Sequence, residues 1–254
     1  MDNTLMPDNI DYSYYYRKWH NGSRLELEER ILFYDRLIGK EISELPTNTS
    51  FLDYGCGFGH LVYYLRQKFK NVVGVDSSPH QIAAGKANNL PVELVEECVF
   101  DDWIKSHSNS FDVIFIMDVL EHIPHDEQIK FLRKIHKLLK EDGLLYVKTP
   151  NANSLLSSRW RYGDWTHTTS FTEHSLEFTL HNAGFMNFSY LDDESSFRPK
   201  FPYIPRWGTL PFYLRCFVRF LWRFYIYSEI GREALRIPLG VNLFVKSRKQ
   251  DSHE

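Results

Sequence analysis

The sequence predicts an α/β protein, a mostly parallel sheet of seven strands with helices on both faces. Three observations carry this. Short apolar runs alternate with amphipathic segments between residues 47 and 191. Those runs are apolar almost throughout, as strands covered on both faces must be. The first of them ends in a cluster of glycines, "LDYGCGFGH", where a strand turns into a helix.

Residues 1–46 read as an N-terminal helical extension or lid. There "LELEERILFYDRLIGKEI" spaces Leu25, Ile31, Leu32, Leu37 and Ile38 near the helical period, and Pro46 closes the segment. The core, residues 47–191, follows. "SFLDYG" is the first strand, "HLVYYLRQKF" a helix, "NVVGVD" the second strand and "SPHQIAAGKANN" a helix. "VELVEECV" reads as the third strand and "FDVIFIMD" as the fourth. "DEQIKFLRKIHKLLKEDG" predicts a helix ending at Gly143, and "LLYVKTPN" the fifth strand. "EHSLEFTLHNAGF" is a helix with Thr172 as N-cap and Gly184 as stop. "FMNFSYLD" and "VNLFVKSRK" form an antiparallel sixth and last strand. The basic aromatic insertion 192–240 separates them, and 241–254 hold the last strand and a polar tail.

Formal net charge is −3, which suggests no nucleic-acid partner. Residues 198–249 carry eleven Lys/Arg and two Glu, a local +9 that leaves −12 on the rest. That asymmetry favours an anionic partner near the C-terminal part. Cys56, Cys98 and Cys216 make no zinc-type pair and no even framework, which predicts a reducing, cytoplasmic setting. The polar, acidic N-terminus is unlike a signal peptide. The most hydrophobic window, 210–227, holds Arg215, Arg219 and Arg223, unlike a membrane span.

The glycine turn follows a strand, opens a helix and is answered seventeen residues after Gly59 by Asp76 at the end of "VVGVD". Glycines let a ligand approach the backbone, and the helix N-terminus receives it. An acidic strand end at that distance can accept hydrogen bonds from both hydroxyls of a ribose. The third glycine comes one residue earlier than in G-x-G-x-x-G, and Asp53 precedes the first.

With "FLDYGCGFGH", "VVGVDSSP", "FDVIFIMDVLEHIP" and "LLKEDGLLYVKTPN" in successive order, the chain resembles the class I S-adenosylmethionine (SAM)-dependent methyltransferases over about residues 50–190 plus the last strand. The resemblance implies a Rossmann-like seven-stranded sheet with an antiparallel last strand, and SAM as cofactor. It implies that the loop Gly55, Cys56, Gly57 and Gly59 holds the methionine part, with Asp53 under its amino group. Asp76 and Ser77 would meet the ribose, and the backbone of Met117 and Asp118 would line the same end. Cys98 and Val99 stand at the adenine-facing position, where the family's usual Asp is missing; backbone groups, or Asp101 and Asp102, are the candidate substitutes.

A sulfonium donor is already activated, so positioning the acceptor matters most, and a hydroxyl acceptor also needs a base. His122, directly after the fourth strand, and His167 in "DWTHTTSFT" are the candidate catalytic residues; a structural hydrogen bond is the alternative for His167. Glu121 reads as structural, and His125 as exposed. A His122–His125 metal pair lacks a third ligand, so no metal is expected. Trp165, together with Tyr16 and His20 of the lid, are candidates for substrate contact, and Trp160 shares that reading.

Arg215, Arg219 and Arg223 recur every four residues among aromatic and aliphatic side chains. This predicts a helix that either rests on an anionic membrane surface through 210–227 or packs on the sheet with its arginines in solvent. The acceptor expected is a sugar or phosphate-bearing cell-envelope glycan precursor, small-molecule or lipid-linked, as in methyltransferases of polysaccharide pathways that this chain resembles. The competing readings are a prenylated quinone-type phenol and a silent SAM-binding protein.

Overall fold

The computed structural model describes residues 22–96, 99–191 and 210–250. The seven strands are β1 (Ser50–Tyr54), β2 (Asn71–Asp76), β3 (Val92–Leu94), β4 (Phe111–Met117), β5 (Leu139–Pro150), β6 (Phe185–Tyr190) and β7 (Asn242–Lys249). They form one sheet in the order β3-β2-β1-β4-β5-β7-β6. β3, β2, β1, β4 and β5 are parallel, and β7 runs antiparallel between β5 and β6. The expected fold class is the one observed.

Helices cover both faces. On one lie α1 (Arg24–Ile42), α2 (His60–Leu65) and α3 (Pro79–Ala87). Their Leu37, Ile38, Leu61, Val62 and Ile82 pack on Phe51, Val72, Phe115 and Tyr146 of the sheet. On the other lie α4 (Phe100–Ser106), α5 (Gln128–Leu138) and α7 (Glu173–Asn182), which bring Ile104, Leu132, Ile135, Leu176 and Leu180 against Leu52, Ile114 and Val147. Each fully buried side chain of this size contributes roughly 1.5–3 kcal/mol. Neighbours on one strand thus serve opposite faces, as Tyr146 and Val147 do in β5, which is why the strands read as continuous apolar runs.

Several boundaries differ from the expectation. In α1 the buried positions are Leu27, Leu37, Ile38 and Ile42, while Leu25 and Leu32 are exposed. The helix is thereby part of the core rather than an appendage. β3 stops at Leu94 because it is an edge strand with β2 as its partner. The helix before β5 ends at Leu138, not at Gly143. Residues 140–143 loop out between the β4 pairings of Leu139 and Leu144. Lys140 there reaches Asp112 at 2.9 Å, Asp112 accepts from the Ser50 amide at 2.7 Å, and Asp142 takes a positive φ of 60°.

α7 is capped as expected: Thr172 and Ser175 form a reciprocal capping box, and Gly184 ends the helix at φ 96°. Between β5 and α7 lies α6 (Ser157–Gly163), and α8 (Leu210–Ile230) precedes β7. α8 is docked by Trp222 Nε1 donating to the Asn153 carbonyl at 3.2 Å. The buried Asn151 joins the two segments, its amide nitrogen donating to Pro238 and Gly240 carbonyls at 2.8 Å each.

Candidate active site

A cavity of about 710 Å³ opens at the carboxyl ends of β1, β2 and β4, where parallel sheets bind ligands. Its floor is the glycine turn. Gly55 and Cys56 both donate their amides to the Val75 carbonyl, at 2.8 and 3.0 Å. Gly55 has φ 75°, and a Cβ there would meet Val119 Cγ2 at 2.3 Å, so no other residue fits. Gly59 caps α2 in the left-handed region and stands behind the cavity wall, while Gly57 lines it.

Asp76 does more than end a strand. Its carboxylate accepts from the Gly57 amide at 2.9 Å and the Ser78 amide at 2.8 Å, locking the turn to β2. Burial raises its pKa, and the amides of Ser78, Gly57 and Ser77 pull it back. Asp53 is 3% exposed, and burial, then the nearby Asp76, push its pKa up to about 8. Two carboxylates held above their ordinary range beside one cavity make a site that gains from a cation.

Cys56, Ser77, Met117 and Asp118 line the same cavity. Asp118 has φ 57° and is ion-paired with Lys148. Val99 does not line it: it stands before α4, 48% exposed, and Val95 and Phe100 take the wall instead. Asp101 and Asp102 do not line it either; they pair at 2.7 Å each with Lys134, which does, and with Lys105. Cys98, Tyr16 and His20 lie outside the described residues. The sequence reading missed Tyr34 of α1, together with Phe131 and Lys130 of α5, which close the cavity from elements remote in the chain.

The histidines sit on the rim. His122, in a short 3-10 turn (Leu120–His122), lines the cavity, and its ring lies 4.6 Å from that of His167, edge to face. The threonine run holds His167 there. Thr168 donates its amide to the Glu121 carbonyl at 2.7 Å and its hydroxyl to the Ile123 carbonyl at 2.8 Å. Burial, then the neighbouring His167, lower the His122 pKa.

The tautomers follow from the partners. The Thr166 hydroxyl donates to Asp164 Oδ1 at 2.6 Å and so accepts from His122 Nδ1 at 2.8 Å. The Trp160 carbonyl can only accept, so His167 Nδ1 donates to it at 2.7 Å. Both rings therefore keep a lone pair on Nε2. Glu121 is fully buried: Oε2 accepts from Thr149 Oγ1 at 3.1 Å, and Oε1 has no partner. Burial, then Asp118, raise its pKa to about 8.

Trp165 is 82% exposed and lines neither this cavity nor the next. Trp160 instead walls a second, mostly apolar cavity of about 500 Å³ with Phe33, Lys148, Arg215, Arg219 and Trp222. The two cavities share a wall, formed by the Asp118–Lys148 pair and by the consecutive Phe33 and Tyr34. α8 faces opposite to one expectation. Arg215 and Arg219 turn inward to the second cavity, and Arg223 donates to the Ala234 and Ile237 carbonyls. Outward stand Leu214, Phe217, Phe220, Leu221 and Phe224, each about half or more exposed. Packing on the sheet with arginines in solvent is thereby excluded. Among the described residues no helix is long and apolar enough to cross a membrane.

The family model for a methyltransferase domain matches residues 27–190. A ubiquinone biosynthesis O-methyltransferase of Glaesserella parasuis is 32% identical over 108 residues, covering 39% of this chain and 44% of the relative. An (S)-coclaurine N-methyltransferase of Papaver somniferum is 32% identical over 112 residues, covering 42% and 31%. The chain thus spans less than half the length of these curated relatives. Among solved structures, a SAM-dependent methyltransferase from Archaeoglobus fulgidus superposes with TM-score 0.61 at 20% identity, over 94% of this chain and 100% of that one. At that identity the likeness concerns the fold. The strand order, the glycine turn with its acidic partner and the family match over most of the core agree, and the chain belongs to the class I SAM-dependent methyltransferase family.

Proposed function

We propose that the protein transfers a methyl group from SAM to an oxygen of an acceptor that carries both an anionic group and an apolar chain, a lipid-linked glycan precursor being the leading candidate. The observation that carries the acceptor class is the second cavity: apolar walls, three cations and a wall shared with the glycine-turn cavity. The residues fit the cofactor. Gly55 leaves room that a Cβ would fill, and Asp53 and Asp76 favour a cationic ligand group. When bound, SAM supplies an electrophilic methyl on a sulfonium that leaves as a neutral thioether.

The chain's own part is binding, alignment and proton handling. Asp53 balances the amino group, Asp76 takes the ribose hydroxyls on the lone pairs left by Gly57 and Ser78, and Phe100 and Phe131 exclude water. The acceptor hydroxyl gives up its proton at the His122–His167 rim, where Nε2 is the basic atom and Asp164, through Thr166, fixes the ring. Arg215 and Arg219 hold the acceptor's anionic group, and Trp160 and Trp222 its apolar chain.

A prenylated quinone-type phenol is the second reading, favoured by the ubiquinone biosynthesis O-methyltransferase relatives. The outward apolar face of α8 fits peripheral contact with a membrane that presents either acceptor. The deciding experiment offers labelled SAM with a polyprenyl-phosphate sugar and, separately, a prenylated catechol, and identifies the labelled product by mass spectrometry. Label in neither, from protein that binds SAM, refutes the acceptor class; failure to bind SAM refutes the whole reading.

A further inference from the structure

Three side chains that can each offer a metal-ligating atom converge at the rim. His122 and His167 have committed their Nδ1 protons to Thr166 and Trp160, which leaves two Nε2 lone pairs. Beside them is Glu121 Oε1, in a residue with no exposed surface and without a hydrogen-bond partner. One ligand atom from each of these residues lies within 4.8 Å of the other two. A buried carboxyl oxygen normally finds a partner, and one left unpaired beside two imidazole rings costs free energy that a bound cation would remove.

We propose that Glu121, His122 and His167 bind one divalent transition-metal ion. Two imidazoles and one carboxylate suit Zn²⁺, Co²⁺ or Fe²⁺ better than the oxygen-seeking Mg²⁺ or Ca²⁺. Zinc donors at about 2.1 Å in a tetrahedron stand about 3.4 Å apart, so the group needs to contract by no more than about 1.4 Å from its 4.8 Å limit. The outer shell is already built: the Trp160 carbonyl and the Thr166–Asp164 pair orient the two imidazoles, and Thr149 orients the carboxylate.

His125, three residues after His122, takes no part in this, being exposed. The third ligand comes from the loop before α7, carried there by the hydrogen bonds of Thr168 to Glu121 and Ile123. Three protein ligands leave a fourth position open, and His122 puts it at the edge of the methyl-transfer cavity. With the ion bound the Nε2 atoms are ligands rather than bases, and an acceptor hydroxyl entering that position would release its proton to solvent more readily than a free one. The binding site itself stands on the geometry and does not depend on the acceptor or on SAM.

The test is a titration of the full chain, stripped with a chelator, with Co²⁺ followed by its visible absorption, then competition by Zn²⁺. The expected result is one equivalent bound, with the absorption lost in His167→Ala and in Glu121→Gln. Thr166→Val, which keeps all three ligands but removes an outer-shell contact, should weaken binding about 10–100-fold. His125→Ala should leave it unchanged. A cooperative melting transition in each variant guards against misfolding, and His167→Ala, at the rim, covers the case in which Glu121→Gln does not fold. Absence of stoichiometric binding to folded wild-type chain overturns the proposal. So does binding that survives His167→Ala, which would mark an adventitious ion only.

Discussion

Asp53 offers a perturbation whose two effects run in opposite directions. Its carboxyl is 3% exposed, and burial beside Asp76 lifts its pKa to about 8. From about pH 4 to 8 the folded chain keeps a proton that the unfolded chain has released, so stability falls as pH rises across that window. At about 1.4 kcal/mol per unit, the cost carried by the ligand-free fold at pH 7 is of order 4 kcal/mol. Water in the adjoining cavity brings the effective figure down to about 2–4 kcal/mol. Asp53→Asn keeps the shape and removes that cost. The ligand-free variant should therefore melt higher, by roughly 4–16 °C at the ~2–4 °C per kcal/mol of a chain this size. It should also lose SAM affinity, because the counter-charge for the amino group is gone. In the wild type, SAM binding expels the Asp53 proton, so affinity should rise from pH 6 to pH 8. Melting curves with and without SAM at the two pH values test all of this. A ligand-free Asn variant less stable than wild type, or one with an undiminished SAM shift, would refute the reasoning.

Other outcomes follow from the same geometry. His122→Ala and His167→Ala should each keep SAM affinity by calorimetry and lose about 10²–10⁴-fold in turnover on the true acceptor; full rate in both would remove the rim from the mechanism. Gly55→Ala forces a Cβ to within 2.3 Å of Val119 at a positive φ, and should cost about 1–3 kcal/mol of stability and abolish SAM binding. A variant that binds SAM normally would show the turn to be more yielding than it looks. Changing Phe217, Phe220 and Phe224 together to Ser should cut co-sedimentation with anionic liposomes while leaving SAM affinity intact, and unchanged partitioning would count against membrane contact.

Much of this was legible from residues that answer to one local rule. The glycine turn and the N-cap at Thr172 each depend on neighbours within a few positions, and Asp76, nineteen residues from the Gly57 amide it accepts, stands where the motif spacing puts it. What failed depends on partners distant in the chain. Whether β3 runs to Val99 depends on how far its one neighbour pairs with it, and pairing ends near Leu94. Whether residues 140–143 extend a helix or loop out depends on Asp112, which draws Lys140 across the sheet edge. Phe131 and Lys130 reach the cavity because α5 packs beside α4, a contact that helical periodicity cannot announce. The convergence of Glu121 and His122 with His167, over forty residues on, belongs to the same class.

The roof helix shows how far an amphipathic pattern goes and where it stops. A four-residue arginine period fixes that the three guanidiniums share a face, and they do. It does not say which face looks inward, because the hydrophobic rule assumes that the protein's own interior is the apolar side. Here the inner side offers acceptors: carbonyls of Ala234 and Ile237 wait for Arg223, and Arg215 and Arg219, on the same face, follow it inward to the second cavity. Buried carbonyls without donors cost more than exposed aromatic rings, so the helix settles with its arginines down. The aromatic stripe is then left to solvent as a consequence of satisfying the segment before β7. Cations at an acceptor cavity and an apolar outer surface are two results of one orientation. Arg223→Leu, which removes the reason for that orientation, should disturb acceptor binding and liposome binding together; a variant that loses only one of them would show the two faces to be set independently.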